Sequence, residues 1–236
     1  MNNIFAITKK ELKTYFLSPI AYVVFTLFLL IAGFFFATYL INTQQATLRP
    51  TFYNLIITLL FFMPLITMKL FAEERKAGTL EMLMTKPVRD SEVVLGKFLA
   101  AFSFFFVMLA STLPYVLILT KYGNPDMGAI WTGYLGFLLL GAAFISIGLF
   151  ASTLTENQII AGVLGFSLIL FLWVIGWLSG ILGISSDSIF NYLSFATKID
   201  DFFRGIIDFR SIIYYLSVTG FMLFVTIKSI EVRKWK

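Results

Sequence analysis

The residues of this chain that could do chemistry lie close together. Between Lys69 and Lys97 runs Lys-Leu-Phe-Ala-Glu-Glu-Arg-Lys-Ala-Gly-Thr-Leu-Glu-Met-Leu-Met-Thr-Lys-Pro-Val-Arg-Asp-Ser-Glu-Val-Val-Leu-Gly-Lys, and eleven of the 31 charged residues fall in these 29 positions. Ionic docking, rather than catalysis, is the chemistry open to them. The chain has no His and no Cys, which removes zinc, iron–sulfur, His-ligated haem, disulfides and imidazole acid–base chemistry. No nucleophile constellation or acid–base pair appears. A G-x-x-x-x-G-K-[ST] phosphate loop is also missing. Gly96-Lys97-Phe98 lacks the upstream Gly and the following hydroxyl, so the chain does not hydrolyse ATP by that route. A greasy protein that concentrates charge in one short stretch presents a docking surface to something in water.

The elements that must position this island are membrane spans. Hydrophobic residues make up 59% of the chain and charged residues 13%, with a mean hydropathy of +0.89; soluble domains average roughly 25% charged residues. Uncharged runs cover 14–48, 50–68, 98–120, 127–155, 157–186 and 211–227. A helix needs ~20 residues to cross the hydrocarbon core, so each run holds one span. The fold expected is therefore an all-α membrane protein, one transmembrane domain over 1–236, with six transmembrane helices near 20–41, 51–71, 93–119, 131–153, 158–182 and 211–230. Six spans put both termini on one side. With that side cytoplasmic, the inner segments hold thirteen Lys and Arg and the outer segments five, a positive-inside bias. The basic excess reads as orientation and anionic-lipid contact, not nucleic acid.

The opening segment, 1–18, does not read as a cleaved signal, because its apolar run is too long and no small-residue site closes it. Residues 3–17 suit a helix lying in the interface, with Ile4, Thr8, Leu12, Tyr15 and Phe16 on one face and Lys9, Lys10 and Lys13 elsewhere. Ser18-Pro19 breaks the chain before the first span. No ionisable residue lies near a bilayer centre, and Lys69, Lys97 and Lys228 sit at cytoplasmic ends where they can snorkel. This argues against proton-coupled transport. Sodium coupling at breaks opened by Pro64 or Pro114 stays open, although plain kinks are the simpler reading. Gly133, Gly136, Gly141 and Gly148 in the fourth span and Gly162, Gly165, Gly176 and Gly180 in the fifth suit close helix packing within the chain, or a subunit interface.

Within the island, the spacing predicts a cytosolic amphipathic helix over 73–84. Ala77, Leu80, Leu83 and Met84 form its apolar stripe, and Glu73, Glu74, Arg75 and Lys76 stay solvated. Pro87 ends it by forcing residue 86 towards extended geometry. Asp90 is expected to cap the next helix, with Glu92 in its first turn. The loop between spans four and five is only Leu154-Thr155-Glu156-Asn157.

The run Glu73-Glu74-Arg75-x-x-Gly78-Thr79-Leu80-Glu81-x-Leu83-x-x-x-Pro87-Val88, followed by Leu95-Gly96-Lys97, resembles the signature of type-2 ABC transporter permeases. Ser152-Thr153-Leu154-Thr155-Glu156-Asn157-Gln158 and Phe203-Arg204-Gly205-Ile206-Ile207-Asp208-Phe209-Arg210 extend the resemblance over nearly the whole chain. Among subfamilies it is most similar to the gliding-motility-associated and nitrous-oxide-reductase-maturation permeases. The resemblance implies that the loop 72–90 carries a coupling helix docking on a separate ATPase. Glu73, Glu74, Arg75, Lys76, Gly78, Thr79, Glu81 and Pro87 would be its contact residues and Glu156 a secondary cytosolic contact. It implies two ATPase subunits and a second permease chain, identical or homologous, in a bacterial cytoplasmic membrane with both termini inside, and it favours export. No cofactor belongs to this chain; ATP and Mg²⁺ sit on the partner. An extracytoplasmic accessory protein is a further partner the resemblance allows.

The external segment 184–210 places Tyr192, Phe195, Ala196, Ile199, Phe202, Phe203 and Ile206 at helical spacing, beside Asp200, Asp201 and Arg204. One or two short helices at the outer interface are expected; in relatives such helices cap the translocation path. The competing readings are a non-transporting scaffold subunit of a secretion or motility machine, and an ion-coupled carrier.

Overall fold

The computed structural model describes residues 2–79, 88–181 and 193–233, and every described element is helical. In chain order the elements are α1 (Asn2–Leu17), α2 (Pro19–Thr43), α3 (Arg49–Thr67), α4 (Lys69–Lys76), α5 (Asp90–Ala110), α6 (Leu113–Tyr122), α7 (Met127–Leu154), α8 (Gln158–Ile181), α9 (Phe195–Phe203) and α10 (Phe209–Arg233). Six stretches are long and apolar enough to cross a membrane: Pro19–Thr43, Arg49–Lys76, Asp90–Tyr122, Met127–Leu154, Gln158–Gly176 and Phe209–Val232. They coincide with the six spans read from the uncharged runs.

The span boundaries have local causes. Ser18 is extended, as a residue before proline must be, and Pro19 opens α2, where its missing N–H costs nothing. The second span continues past Phe71 through α4, with Met68 N–H donating to the Pro64 carbonyl across the joint. Pro64 therefore lies inside a continuous span. Pro114 instead follows a break at Ser111–Thr112, where the Thr112 hydroxyl donates to the Leu109 carbonyl at 2.7 Å. Asp126 caps α7 by accepting from the N–H groups of Gly128 (2.9 Å) and Ala129 (3.3 Å).

α7 is the central post. It packs against α10, α8, α3, α9, α5 and α4, and 78% of its most apolar stretch is buried. Its glycines are where neighbours come closest. A Cβ at Gly141 would stand 2.1 Å from the Phe105 ring, one at Gly148 the same distance from the Thr67 hydroxyl, and one at Gly136 2.8 Å from Phe202. These contacts are within the chain, which is the first of the two uses expected for the fourth-span glycines. α2 is peripheral. Val24, Phe28, Ala32 and Phe36 form its buried stripe, while Val23, Leu27, Leu30 and Phe34 face outward.

Two local expectations are corrected. No helix begins at residue 73; residues 73–76 are the last turn of α4, and Gly78 turns the chain at φ +67°. That left-handed conformation is strained for any residue with a Cβ, so glycine ends the helix, whose last residue is Lys76, two after the Glu-Glu pair. The remainder of the expected 73–84 helix, with Leu80, Leu83, Met84 and the Lys86-Pro87 turn, lies outside the described residues. Second, Arg89 and not Asp90 is the first residue of the α5 cap. The Glu92 carboxylate accepts from the Arg89 backbone N–H at 3.0 Å, and so supplies the capping oxygen.

Candidate functional site

The charged island and the short loop between spans four and five meet at one end of the bundle. Arg75, in the last turn of α4, donates through Nη1 to the Thr153 carbonyl at 2.9 Å and through Nη2 to Glu156 Oε1 at 2.9 Å. The first bond satisfies a carbonyl freed at the α7 C-terminus, where a cation also meets the negative end of the helix. After Arg75 the chain tightens: Gly78 N–H donates to the Arg75 carbonyl and the Thr79 hydroxyl to the Glu74 carbonyl. The left-handed Gly78 lies in open space, with nothing within 4 Å of a would-be Cβ. Its role is conformational.

Beside this clasp sits a buried charge knot that the sequence did not announce. Lys97 is 1% exposed. Its ammonium lies 2.9 Å from Glu74 Oε1 and 3.1 Å from Glu11 Oε1, with the Phe71 ring 5.2 Å away. Lys10 reaches the same two carboxylates at 3.5 and 3.6 Å. Lys97 was expected to snorkel; two carboxylates hold it inside instead. α1 makes this possible by lying across α5. Gly96 lets it approach, since a Cβ there would stand 2.7 Å from Ile7, and the Thr8 hydroxyl donates to the Gly96 carbonyl at 3.1 Å. The face α1 presents is Ile4, Ile7, Thr8, Glu11, Leu12 and Tyr15, while Phe16 is exposed. Tyr15 donates to the Ile66 carbonyl at 2.7 Å. Burial, and behind it the Glu11 carboxylate, pushes the Tyr15 hydroxyl well above its ordinary pKa, so it stays a donor.

The expected contact residues thus divide. Glu74 and Arg75 turn inward to partners in this chain, against the expectation that both stay solvated. Glu73, Lys76, Gly78, Thr79 and Glu156 are exposed. Glu81 and Pro87 lie outside the described residues. Glu11, which sequence reasoning missed, left one signal: an acid at the centre of a face otherwise apolar.

At the opposite end, α9 packs onto α7 and does not lie free on a surface. Phe195, Ile199, Phe202 and Phe203 are buried, and the Thr132 hydroxyl donates to the Phe202 carbonyl at 2.7 Å. Gly205 stops α9 at φ +85°. Asp200 is paired with Arg204 and Arg49 and accepts from the Tyr53 hydroxyl. Residues 184–192 of the expected external segment, Tyr192 among them, lie outside the described residues.

The Glu-Glu-Arg stretch, the Gly-Lys pair and the 152–158 loop thus meet at one end of the bundle. The pattern shared by ABC-2 family transporter proteins matches residues 5–225. The chain belongs to that family. No curated protein matches it. As an ABC-2 family member it is a multi-pass membrane protein and the permease subunit of an ABC transporter. Subunits of this family carry no ATPase domain of their own and work with an ABC ATPase. Among the described residues no group of three or more His, Cys, Asp or Glu is placed to hold a metal ion.

Proposed function

We propose that this permease subunit couples ATP hydrolysis by a separate ATPase to export, and that the ATPase docks on the exposed edge of the Arg75 clasp. The observation that carries the reading is the clasp itself. Arg75 fastens the end of the second span to the loop after the fourth, so a force on one short patch reaches α4 and α7 together. Lys76, Gly78 and Thr79, the segment 80–87 that follows them, and Glu156 form the contact surface. Two permease chains and two ATPase subunits make the transporter, in a bacterial cytoplasmic membrane with both termini inside, as the thirteen-to-five basic asymmetry favours. The gliding-motility and nitrous-oxide-reductase-maturation permeases are the subfamily whose pattern the island follows. ATP binding draws the ATPases together, the 73–87 segments move with them, and α7, the buried post, transmits the motion. α9 and the outer segment cap the path on the far side.

The test is co-purification from the native membrane followed by ATP hydrolysis in the recovered complex. Reversing Lys76 to Glu should cut ATPase recovery about tenfold, the scale of one lost charge-assisted contact. Lys121→Glu, at the opposite end of the bundle, should leave recovery unchanged. Equal recovery with both variants would remove this surface as the docking site.

A further inference from the structure

The charge knot opens onto a cavity of about 430 Å³ between α1, the first turns of α2, the end of α3 with α4, and α5. The size falls in the ~300–1,000 Å³ range of small-molecule sites. Its walls are of two kinds. Ala21, Val24, Leu65, Ile66 and Phe104 make an apolar side that runs along the spans, and three Lys and three Glu ring the other side. That division places the cavity where hydrocarbon meets water.

The charges are unevenly used. Lys97, Lys10, Glu11 and one oxygen of Glu74 are committed to the knot. Lys69 and Glu73, one helical turn apart on α4, have no ion pair among the described residues, and Glu74 Oε2 is buried with no hydrogen-bond partner. Residues at this spacing lie ~5–6 Å apart at Cβ. The cavity therefore offers a cation and, beside it, a carboxylate, neither with an ion pair among the described residues. A purely anionic head group would answer Lys69 and leave Glu73 worse off. A quaternary ammonium carries no N–H to give Glu73. A zwitterion with a phosphate and a primary ammonium answers both.

We infer that this cavity binds a phosphoethanolamine lipid of the adjoining leaflet. The phosphate sits on Lys69, the ammonium donates to Glu73, and an acyl chain lies along Ala21, Val24 and Leu65. The lipid then joins α1, α2 and α4, and of these α4 carries the clasp. This assignment rests on the lining of the cavity and its membrane position and not on the docking reading, so either can fail without the other.

Native mass spectrometry of the full-length protein in detergent, with added phosphatidylethanolamine, phosphatidylcholine or phosphatidylglycerol, tests it. Phosphatidylethanolamine should be retained about tenfold more than either other lipid, the worth of one charge-assisted bond. Retention should fall stepwise through the mono- and dimethyl analogues. Lys69→Ala and Glu73→Ala should each lower it about tenfold, and Lys69→Arg and Glu73→Asp should restore most of it. Soluble phosphoethanolamine should not displace the lipid at matched concentration. Equal retention of phosphatidylcholine, a preference for phosphatidylglycerol, both alanine variants binding as the parent does, or displacement by the soluble head group would each overturn the assignment.

Discussion

The two ends of this permease both hold a carboxylate among cations, yet they are built differently. At the end that holds the Arg75 clasp, Lys97 is 1% exposed and meets carboxylates from α1 and α4, one of them 86 residues away. At the opposite end Asp200 meets Arg49 and Arg204, whose side chains are 42% and 55% exposed. A buried charge stripped of its partner has no water to turn to and costs about 3–5 kcal/mol, whereas an exposed pair contributes about 0–1 kcal/mol. The inner knot is thus an obligatory joint between elements, and the outer cluster a trim on an end that α9 already holds by its buried aromatic face.

Breaking the inner knot should have the largest effect. Lys97→Met leaves Glu11 and Glu74 with only the exposed Lys10 as a cation, and should cost about 3–5 kcal/mol, read as a lower thermal midpoint in detergent. An unchanged midpoint would erase the distinction between the two ends. Next comes the close approach that lets α1 supply Glu11. Gly96→Val sets new methyl groups against Ile7 and should cost about 1–3 kcal/mol by overpacking. Trypsin should then cut more readily at Lys9 and Lys13 as α1 lifts away.

A smaller change sharpens the comparison by separating folding from docking. Gly78→Ala meets no atom, but it forces a Cβ into the left-handed region at φ +67°, a strain of about 1–2 kcal/mol. Its position at the exposed helix end predicts loss of ATPase recovery with little change in the thermal midpoint of the membrane part. A fallen midpoint with full ATPase recovery would show the turn to be structural only. The smallest effect belongs to the outer end. Asp200→Asn should cost at most about 1 kcal/mol and should matter less in high salt, which screens exposed pairs. A loss comparable to that of Lys97→Met would mean the outer cluster is a joint as well.

Some of this was legible because its cause is local. The Ser18-Pro19 break before the first span falls between α1 and α2, as a proline at a helix start does anywhere. The island's Glu-Glu-Arg stretch could be singled out, but which of its members face water could not. Periodicity assigned Glu73, Glu74, Arg75 and Lys76 to one solvated set. The structure divides them by what lies opposite: Glu74 finds Lys97, and Arg75 finds the α7 C-terminus.

The amino-acid sequence by itself determined the six spans and the end of the molecule where charge gathers. Twenty apolar residues cannot leave lipid without penalty, and a charge cannot sit unpaired within it. Only the tertiary structure decided which spans form the core. The fifth span is more apolar than the fourth, yet 22% of it is buried against 78%. Lipid tails and protein interior are equally apolar, so hydropathy does not tell one neighbour from the other. Tertiary structure also decided the pairing of Glu11, Glu74 and Lys97, because a charge's partner across 86 residues is set by how helices cross, and no local pattern records that crossing.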